Sequence, residues 1–131
     1  TLVTDRVAAV VRPGDHATTF GGGPLVAAVA LHVVRRLADA DFLARVRETG
    51  AYLQQRLDEL CGLRAVDHVR GAGMMWGIQL QSPAAPVVAA ALEAGLLVTA
   101  AGDSVLRLLP PLVIAPHEVD TGVNILREVL R

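Results

Sequence analysis

The change from helix to sheet along the chain is encoded in residues 65–81, AVDHVRGAGMMWGIQLQ. Valine, isoleucine and other large apolar residues dominate this stretch without a helical spacing, and glycines interrupt its middle. The pattern predicts two short strands, Ala65–Val69 and Met74–Gln81, separated by a tight bend at Gly71-Ala72-Gly73. Glycines at this density also indicate close packing of the backbone.

Before this stretch, apolar residues recur at helical spacing. One continuous apolar face predicts a helix over Pro24–Leu37, with the proline at the first helical position. A second helix is expected to begin at a cap formed by Asp39 or Asp41 and to stop at Gly62.

After the hairpin, the pattern alternates again between helix and strand. We expect a helix over Pro86–Ala94, strands over Leu96–Thr99 and Val105–Leu109 around a Gly102-Asp103 turn, and a last helix over Pro116–Leu130. Two helices followed by ββαββα predict an α+β fold, with helices on one face of a small, mainly antiparallel sheet.

Composition limits the classes of function. A chain of 131 residues with 53% hydrophobic residues suits a single packed domain and not a disordered segment. The net charge of −1, with scattered basic residues, argues against nucleic acid and anionic membranes as partners. No apolar run approaches the length of a membrane helix and no secretory signal is seen, so a soluble, cytoplasmic protein is expected.

Cysteine, histidine and lysine usage excludes several kinds of site. Cys61 is the single cysteine and the four histidines lack ligand spacing, so neither a disulfide nor a metal site is predicted. We expect Cys61 to be a small buried residue. All twelve basic residues counted as Lys+Arg are arginines, so the chain has no amine for Schiff-base chemistry.

The glycine-rich loop Gly14–Pro24 is the first candidate site. Thr18 and Thr19 precede three glycines and the start of a helix, where backbone N–H groups and the helix dipole favour a phosphate or carboxylate. On composition alone, a glycine-rich turn that caps the helix is the simpler interpretation.

Arg107 is the second candidate, because it stands among apolar residues in a predicted strand. Such an arginine either extends its charged end into solvent or meets a carboxylate in a bidentate pair. Spacing alone favours the first of these two interpretations.

Three segments in a fixed order add a resemblance. They are GDHATTFGGGP (residues 14–24), DHVRGAGMMWGI (residues 67–78) and GLLVTAAG (residues 95–102) running into VLRLLPP (residues 105–111). In order and register, the chain resembles the C-terminal part of class III aminotransferases, in particular those of the acetylornithine type. Two positions depart from the usual pattern: Gly23 stands where asparagine is common, and Ala72 where a longer side chain is common.

The resemblance implies a pyridoxal-phosphate enzyme of fold-type I. Residues 1–36 would be the tail of the large cofactor-binding domain, and residues 37–131 the C-terminal small domain. The Schiff-base lysine would lie upstream, so no catalytic residue is assigned in this chain, and the chain alone is expected to be inactive.

The resemblance also assigns roles to the candidate residues. Thr19 would bind the cofactor phosphate of the neighbouring subunit in a homodimer, Thr18 would lie at the substrate, and Arg107 would grip the α-carboxylate of the amino acid or of 2-oxoglutarate. The implied reaction moves an amino group from N-acetylornithine to 2-oxoglutarate in arginine biosynthesis. Alternatives are ornithine, succinylornithine or 4-aminobutyrate as amino donor, or a fragment that binds a partner or small anion without turnover.

Overall fold

The computed structural model describes residues 2–131. The chain divides into two compact units, of which the first ends at Ala38 and the second is Asp39–Arg131. Residue Thr1, where the predicted first segment begins, lies outside the described residues.

The first unit contains two helices. A single turn, α1 (Asp5–Ala8), is followed by the glycine-rich loop and by α2 (Pro24–Leu37), which has the predicted bounds. No side chain of α2 is buried, and the apolar stripe that predicts this helix is exposed along its whole length. Within residues 2–131, no part of this stripe is buried.

The second unit is the folded α+β part of the chain. Its elements are α3 (Ala40–Asp58), a 3-10 turn (Glu59–Gly62), β1 (Val66–Ala72), β2 (Met75–Leu80), α4 (Ala85–Glu93), β3 (Thr99–Ala100), β4 (Val105–Leu108) and α5 (Pro116–Val129). The strands form one sheet in the order β1-β2-β4-β3, and every neighbouring pair is antiparallel. The predicted α+β fold is confirmed.

Helix α3 begins at one of the two predicted caps. The Asp39 carboxylate accepts a hydrogen bond of 2.6 Å from the backbone N–H of Phe42. This bond satisfies one of the donors that the start of a helix leaves without an intrahelical partner. At its other end the helix tightens into the 3-10 turn, which stops at the predicted Gly62.

The predicted hairpin bend was placed too early. Strand β1 continues through Gly71 and Ala72, and the turn lies at Gly73 and Met74. Gly71 is needed within the strand, since a Cβ atom there would collide with the Met75 carbonyl and the Trp76 ring. Gly73 makes the turn with a φ of +57°, a conformation that glycine adopts without steric cost.

The predicted strand over Leu96–Thr99 is also corrected. Only Thr99–Ala100 pair with β4, because the backbone N–H of Leu96 is still bonded to the Ala91 carbonyl at the end of α4. At the far end, β4 stops at Leu108, ahead of Pro110 and Pro111, which have no N–H group for a ladder.

The core lies on one face of the sheet. Trp76, Ile78 and Leu80 alternate along β2 toward this face and are buried there. They share a hydrophobic cluster with leucines of α3 and with apolar side chains of α4 and α5. All three helices of the second unit therefore cover the same side of the sheet, as predicted.

Helix α3 approaches the hairpin turn closely. Gly50 is buried in the middle of this helix, and a Cβ atom at that position would lie 3.0 Å from the Gly73 carbonyl oxygen. The same carbonyl oxygen accepts a hydrogen bond of 2.9 Å from the Trp76 indole N–H. A side chain at residue 50 would therefore push helix and turn apart.

Cys61 is exposed, so the prediction that it is buried is wrong. It lies in the 3-10 turn directly after Leu60, which is fully buried. Because Leu60 directs its side chain into the core, the next residue of this short turn points away from it.

The described structure contains neither a candidate membrane-spanning helix nor a candidate metal site. From residue 2 to residue 131, no helix is both long enough and apolar enough to cross a membrane. In the same range, no group of three or more histidine, cysteine, aspartate or glutamate side chains is arranged to hold a metal ion.

A polar network ties α3 to α5. The Asp120 carboxylate accepts hydrogen bonds of 2.6 Å from the Tyr52 hydroxyl and 2.8 Å from Arg56 Nε. The Tyr52 hydrogen bond, together with the positive charge of Arg56, lowers the pKa of Asp120. The same bond raises the pKa of Tyr52.

A substitution at Leu106 tests the packing of the hydrophobic core. It is fully buried in β4, so we expect Leu106→Ala to lower the free energy of unfolding by about 2–5 kcal/mol through lost burial and a residual cavity. Urea denaturation followed by the fluorescence of Trp76, the single tryptophan, measures this loss. The control is Leu109→Ala, because Leu109 is 62% exposed. Equal losses in both variants would contradict the described core.

The Asp120 network makes stability depend on pH. Because folding lowers the pKa of Asp120, its contribution is present above the ordinary aspartate pKa of about 4 and is lost as the pH falls through the lowered value. We expect Asp120→Asn to unfold at a lower temperature than the parent at pH 7, with a smaller difference at pH 3. Thermal unfolding at several pH values measures this.

The matched control is Asp58→Asn, because the exposed Asp58 carboxylate makes no side-chain hydrogen bond to another described residue. A difference between D120N and parent that stays constant from pH 7 to pH 3 would contradict the assigned network.

Candidate functional site

Arg107 lies on the face of the sheet that carries no helices. It pairs with Gly77 of β2 on one side and with Thr99 of β3 on the other. Its neighbour Leu106 is fully buried, whereas Arg107 is exposed, because successive residues of a strand point to opposite faces. The strand thus holds the guanidinium group on the open side of the sheet.

The guanidinium group of Arg107 retains most of its donors. Its Nε–H donates to the Thr99 hydroxyl oxygen at 3.2 Å. Among residues 2–131, neither of its two Nη groups has a hydrogen-bond or ion-pair partner. A planar group with two unused Nη groups and an uncompensated positive charge is suited to bidentate binding of a carboxylate.

Two other arginines of the second unit, Arg56 and Arg127, differ from Arg107 in their partners. Arg56 forms ion pairs with Glu59 and Asp120, and Arg127 forms one with Glu59. These carboxylates neutralise the positive charges of Arg56 and Arg127, so neither arginine is arranged to bind a ligand.

Arg70 stands in the same row of the sheet as Arg107, with Gly77 between them. It contacts His68 Nε2 at 2.8 Å and the Gln79 side-chain oxygen at 3.4 Å. His68 Nδ1 lies 2.8 Å from an Asp67 carboxylate oxygen. With the His68 proton on Nδ1, the histidine donates to Asp67 and accepts from Arg70, so Arg70 is held by protein groups.

The glycine-rich loop forms the candidate site of the first unit. The Thr18 hydroxyl oxygen accepts a hydrogen bond of 3.2 Å from the Gly21 backbone N–H, which closes a tight turn. A Cβ atom at Gly21 would collide with the Thr18 side chain, and Gly22 has a φ of +79°. Glycine is therefore required at both positions for this turn.

Thr19 is exposed, and its hydroxyl has no hydrogen-bond partner within residues 2–131. The turn presents it a few residues ahead of α2, whose N-cap, Gly23, provides no side-chain cap. A free hydroxyl and nearby uncapped helix N–H groups can all donate hydrogen bonds to the oxygens of a phosphate. The residues of this loop therefore fit the phosphate of a cofactor such as pyridoxal phosphate.

An apolar cavity of about 570 Å³ lies elsewhere in the second unit. Its walls come from α3, from α5 and from the segments on either side of the β3–β4 hairpin, and they include Leu57, Leu96, Pro110 and Val119. The one charged residue in its wall is Glu118, whose carboxylate accepts a 2.8 Å hydrogen bond from the Ala115 N–H. The cavity offers no group that would bind a carboxylate or phosphate.

Sequence reasoning identified Arg107, Thr18 and Thr19 but missed Thr99. The predicted strand over Leu96–Thr99 did not specify which residue of the next strand pairs with Thr99. A signal was present, because a turn centred on Gly102-Asp103 implies that residues just before it face residues just after it. The structure places Thr18 and Thr19 together in the loop of the first unit, and Arg107 beside Thr99 in the second.

The chain is similar to known proteins in both sequence and fold. The family model for class III aminotransferases matches residues 1–130. The chain is 44% identical over 131 residues to a mitochondrial acetylornithine aminotransferase of Alnus glutinosa, covering 98% of this chain and 29% of that protein. It is 41% identical to acetylornithine aminotransferase 1 of Bordetella bronchiseptica, covering 99% of this chain and 33% of that protein.

Solved structures agree with this relationship. An ornithine δ-aminotransferase of Plasmodium falciparum matches with a TM-score of 0.82 at 28% identity, over 98% of this chain and 35% of that one. An acetylornithine aminotransferase of Elizabethkingia anophelis matches with a TM-score of 0.80 at 27% identity, over 98% of this chain and 34% of that one. The chain thus spans about a third of the length of these relatives. It belongs to the class III aminotransferases, enzymes of fold-type I.

Proposed function

We propose that this chain is the C-terminal part of a pyridoxal-phosphate-dependent aminotransferase that moves an amino group from N-acetylornithine to 2-oxoglutarate. The observation that carries the proposal is Arg107, which holds two unused Nη groups on the open face of the sheet, in a chain of the class III family. Residues up to 36 are the tail of the large domain, and residues 37–131 are the small domain.

Arg107 binds and orients the substrate in this proposal. 2-Oxoglutarate carries a carboxylate next to its reacting carbon, and the two Nη groups bind the two oxygens of this carboxylate in one plane. Fixing this end of the substrate orients the reacting carbon, which lowers the entropic cost of reaction. The β2–β4 register supports this role because it places Gly77 beside Arg107, and a glycine has no side chain there to cover the guanidinium group.

Thr19 holds the cofactor phosphate of the neighbouring subunit, and Thr18 lies next to the substrate. The exposed, unpartnered hydroxyl of Thr19 supports the first role. Thr18 also shapes the turn through its bond from the Gly21 N–H. Pyridoxal phosphate, when bound, supplies the electron sink that stabilises negative charge at the substrate carbon.

The catalytic amine comes from another segment. The 131-residue sequence contains no lysine, and the relatives are about three times as long as the matched region. We infer that a lysine-bearing region of about twice this length completes the enzyme, and that this chain alone is inactive.

The amino donor is assigned from the similarity to acetylornithine aminotransferases at 41–44% identity. Ornithine is the second candidate, because a solved ornithine δ-aminotransferase matches the fold at a TM-score of 0.82. Succinylornithine and 4-aminobutyrate remain alternatives within the family.

The active assembly is proposed to be a cytoplasmic homodimer. The exposed apolar stripe of α2 supports this assembly, because such a surface needs a cover from the large domain or from a second subunit.

Reconstitution tests the proposed reaction. The chain is fused behind the lysine-bearing N-terminal region of the Bordetella bronchiseptica relative, loaded with pyridoxal phosphate and assayed with the four amino donors. We expect amino transfer to 2-oxoglutarate with the highest kcat/KM for N-acetylornithine. Arg107→Gln is expected to lower kcat/KM for 2-oxoglutarate by about 10²–10³-fold, since the charged, bidentate contact to the 2-oxoglutarate carboxylate is lost.

Arg70→Gln is the matched control, because Arg70 lies in the same row of the sheet but is bonded to protein groups. A folded, cofactor-loaded fusion without activity on any donor would argue for a non-catalytic binding module. Equal activity of R107Q and R70Q would refute the role of Arg107.

The exposed stripe of α2 predicts self-association of the isolated chain. Val26, Val29, Val33, Val34 and Leu37 are between 40% and 60% exposed along one face. We expect sedimentation velocity to show concentration-dependent association, and Val29→Glu to shift the chain toward monomer because a charge in this face opposes its burial.

Ala28→Glu is the control for this experiment, because residue 28 lies on the opposite side of α2 from the stripe. A parent chain that stays monomeric at all concentrations would show that the stripe drives no association.

A further inference from the structure

We propose that Thr99 is a positioning residue for Arg107, holding the guanidinium group in the orientation that receives the substrate carboxylate. This inference rests on the proposed carboxylate-binding role of Arg107. It assigns a function to a residue that lies in a different strand and is not one of the three candidate residues named from the sequence.

The contact comes directly from the register of the sheet. Thr99 and Arg107 are partners across β3 and β4, so their side chains leave the same face next to each other. The Thr99 hydroxyl oxygen accepts the hydrogen bond from Nε at 3.2 Å. Of the guanidinium donors, Nε lies closest to the aliphatic chain, so this bond fixes the plane of the group and leaves both Nη groups for a ligand.

Holding the plane matters because both side chains are exposed. An exposed arginine rotates about several single bonds, and bidentate binding requires one orientation of its planar fork. A guanidinium group that is already oriented loses less freedom when the carboxylate binds.

A hydroxyl is chemically suited to this position. It accepts a hydrogen bond without bringing a negative charge, so the arginine remains attractive to a carboxylate. An acidic residue would neutralise the arginine, as Glu59 and Asp120 do for Arg56. The other flank of Arg107 in the row is Gly77, which has no side chain. Within this row, Thr99 is therefore the one side chain directly beside Arg107.

Substitutions at Thr99 separate the hydroxyl from the shape of the side chain. In the fused, cofactor-loaded enzyme, we expect Thr99→Val to raise KM for 2-oxoglutarate about three- to tenfold, with kcat within about twofold of the parent. Thr99→Ser keeps the hydroxyl and is expected to restore the parental KM. The control is Thr121→Val, because it removes an exposed threonine hydroxyl from α5.

A second measurement is independent of activity. In the isotope-labelled 131-residue chain, the Arg107 Nε–H signal is expected to exchange with solvent faster in T99V than in the parent and in T99S. Equal exchange in all three proteins would overturn the assigned hydrogen bond.

The outcomes distinguish this inference from the proposed function. If R107Q raises KM and T99V does not, Arg107 binds the carboxylate without help from Thr99, and the inference is wrong. If R107Q itself leaves KM unchanged, the proposed role of Arg107 fails. A KM increase in T99V that T99S does not reverse would mean that shape, and not the hydroxyl, matters.

Discussion

The one-sided burial of the four-stranded sheet governs where the side chains of β2 and β4 lie. Ile78 and Leu106 pair across these strands and are both fully buried under the helices. The residues next to them, Gly77 and Arg107, then have to face the other side, since successive side chains of a strand alternate. A slip of one residue would exchange a buried leucine with a charged arginine, and the cost of burying that charge fixes the register.

The exposed surfaces of the two units differ in chemistry. In the second unit, the open side of the sheet carries the polar side chains of Arg70, Gln79 and Arg107. In the first unit, the exposed side of α2 is apolar along several turns. A helix with such a face is stabilised by packing against a partner surface more than by its own propensity. The second unit carries its own core, whereas α2 has no buried residue.

Much of the fold was predictable because its signals are local. The stripe of α2, the cap at Asp39 and the breaks at Pro24 and Gly62 are read within one or two turns of chain, and the structure places helix ends at these residues. Strand limits were predicted less well, because they depend on contacts between distant residues. Gly71 looked like a turn residue, yet its lack of a side chain serves the packing of the Trp76 ring.

The residues of the candidate sites likewise differ in whether their signals are local or depend on contacts between distant residues. The loop hydroxyls and Arg107 were found from their residue types and from the family resemblance. Thr99 is not among the residues predicted from the sequence, because its contact with Arg107 comes from the β3–β4 register, which brings its hydroxyl within 3.2 Å of Arg107 Nε. The exposure of Cys61 depends likewise on which residue of a short turn, Leu60 or Cys61, reaches the core.

The central claim is that Arg107, among the arginines of the sheet, is free to bind a carboxylate. Titration of the 131-residue chain with glutarate, followed by nuclear magnetic resonance of the arginine side-chain N–H signals, tests it directly. We expect the Arg107 signals to shift and saturate, while those of Arg70 stay in place. Equal, unsaturated shifts of both arginines, or no shift of Arg107, would contradict it.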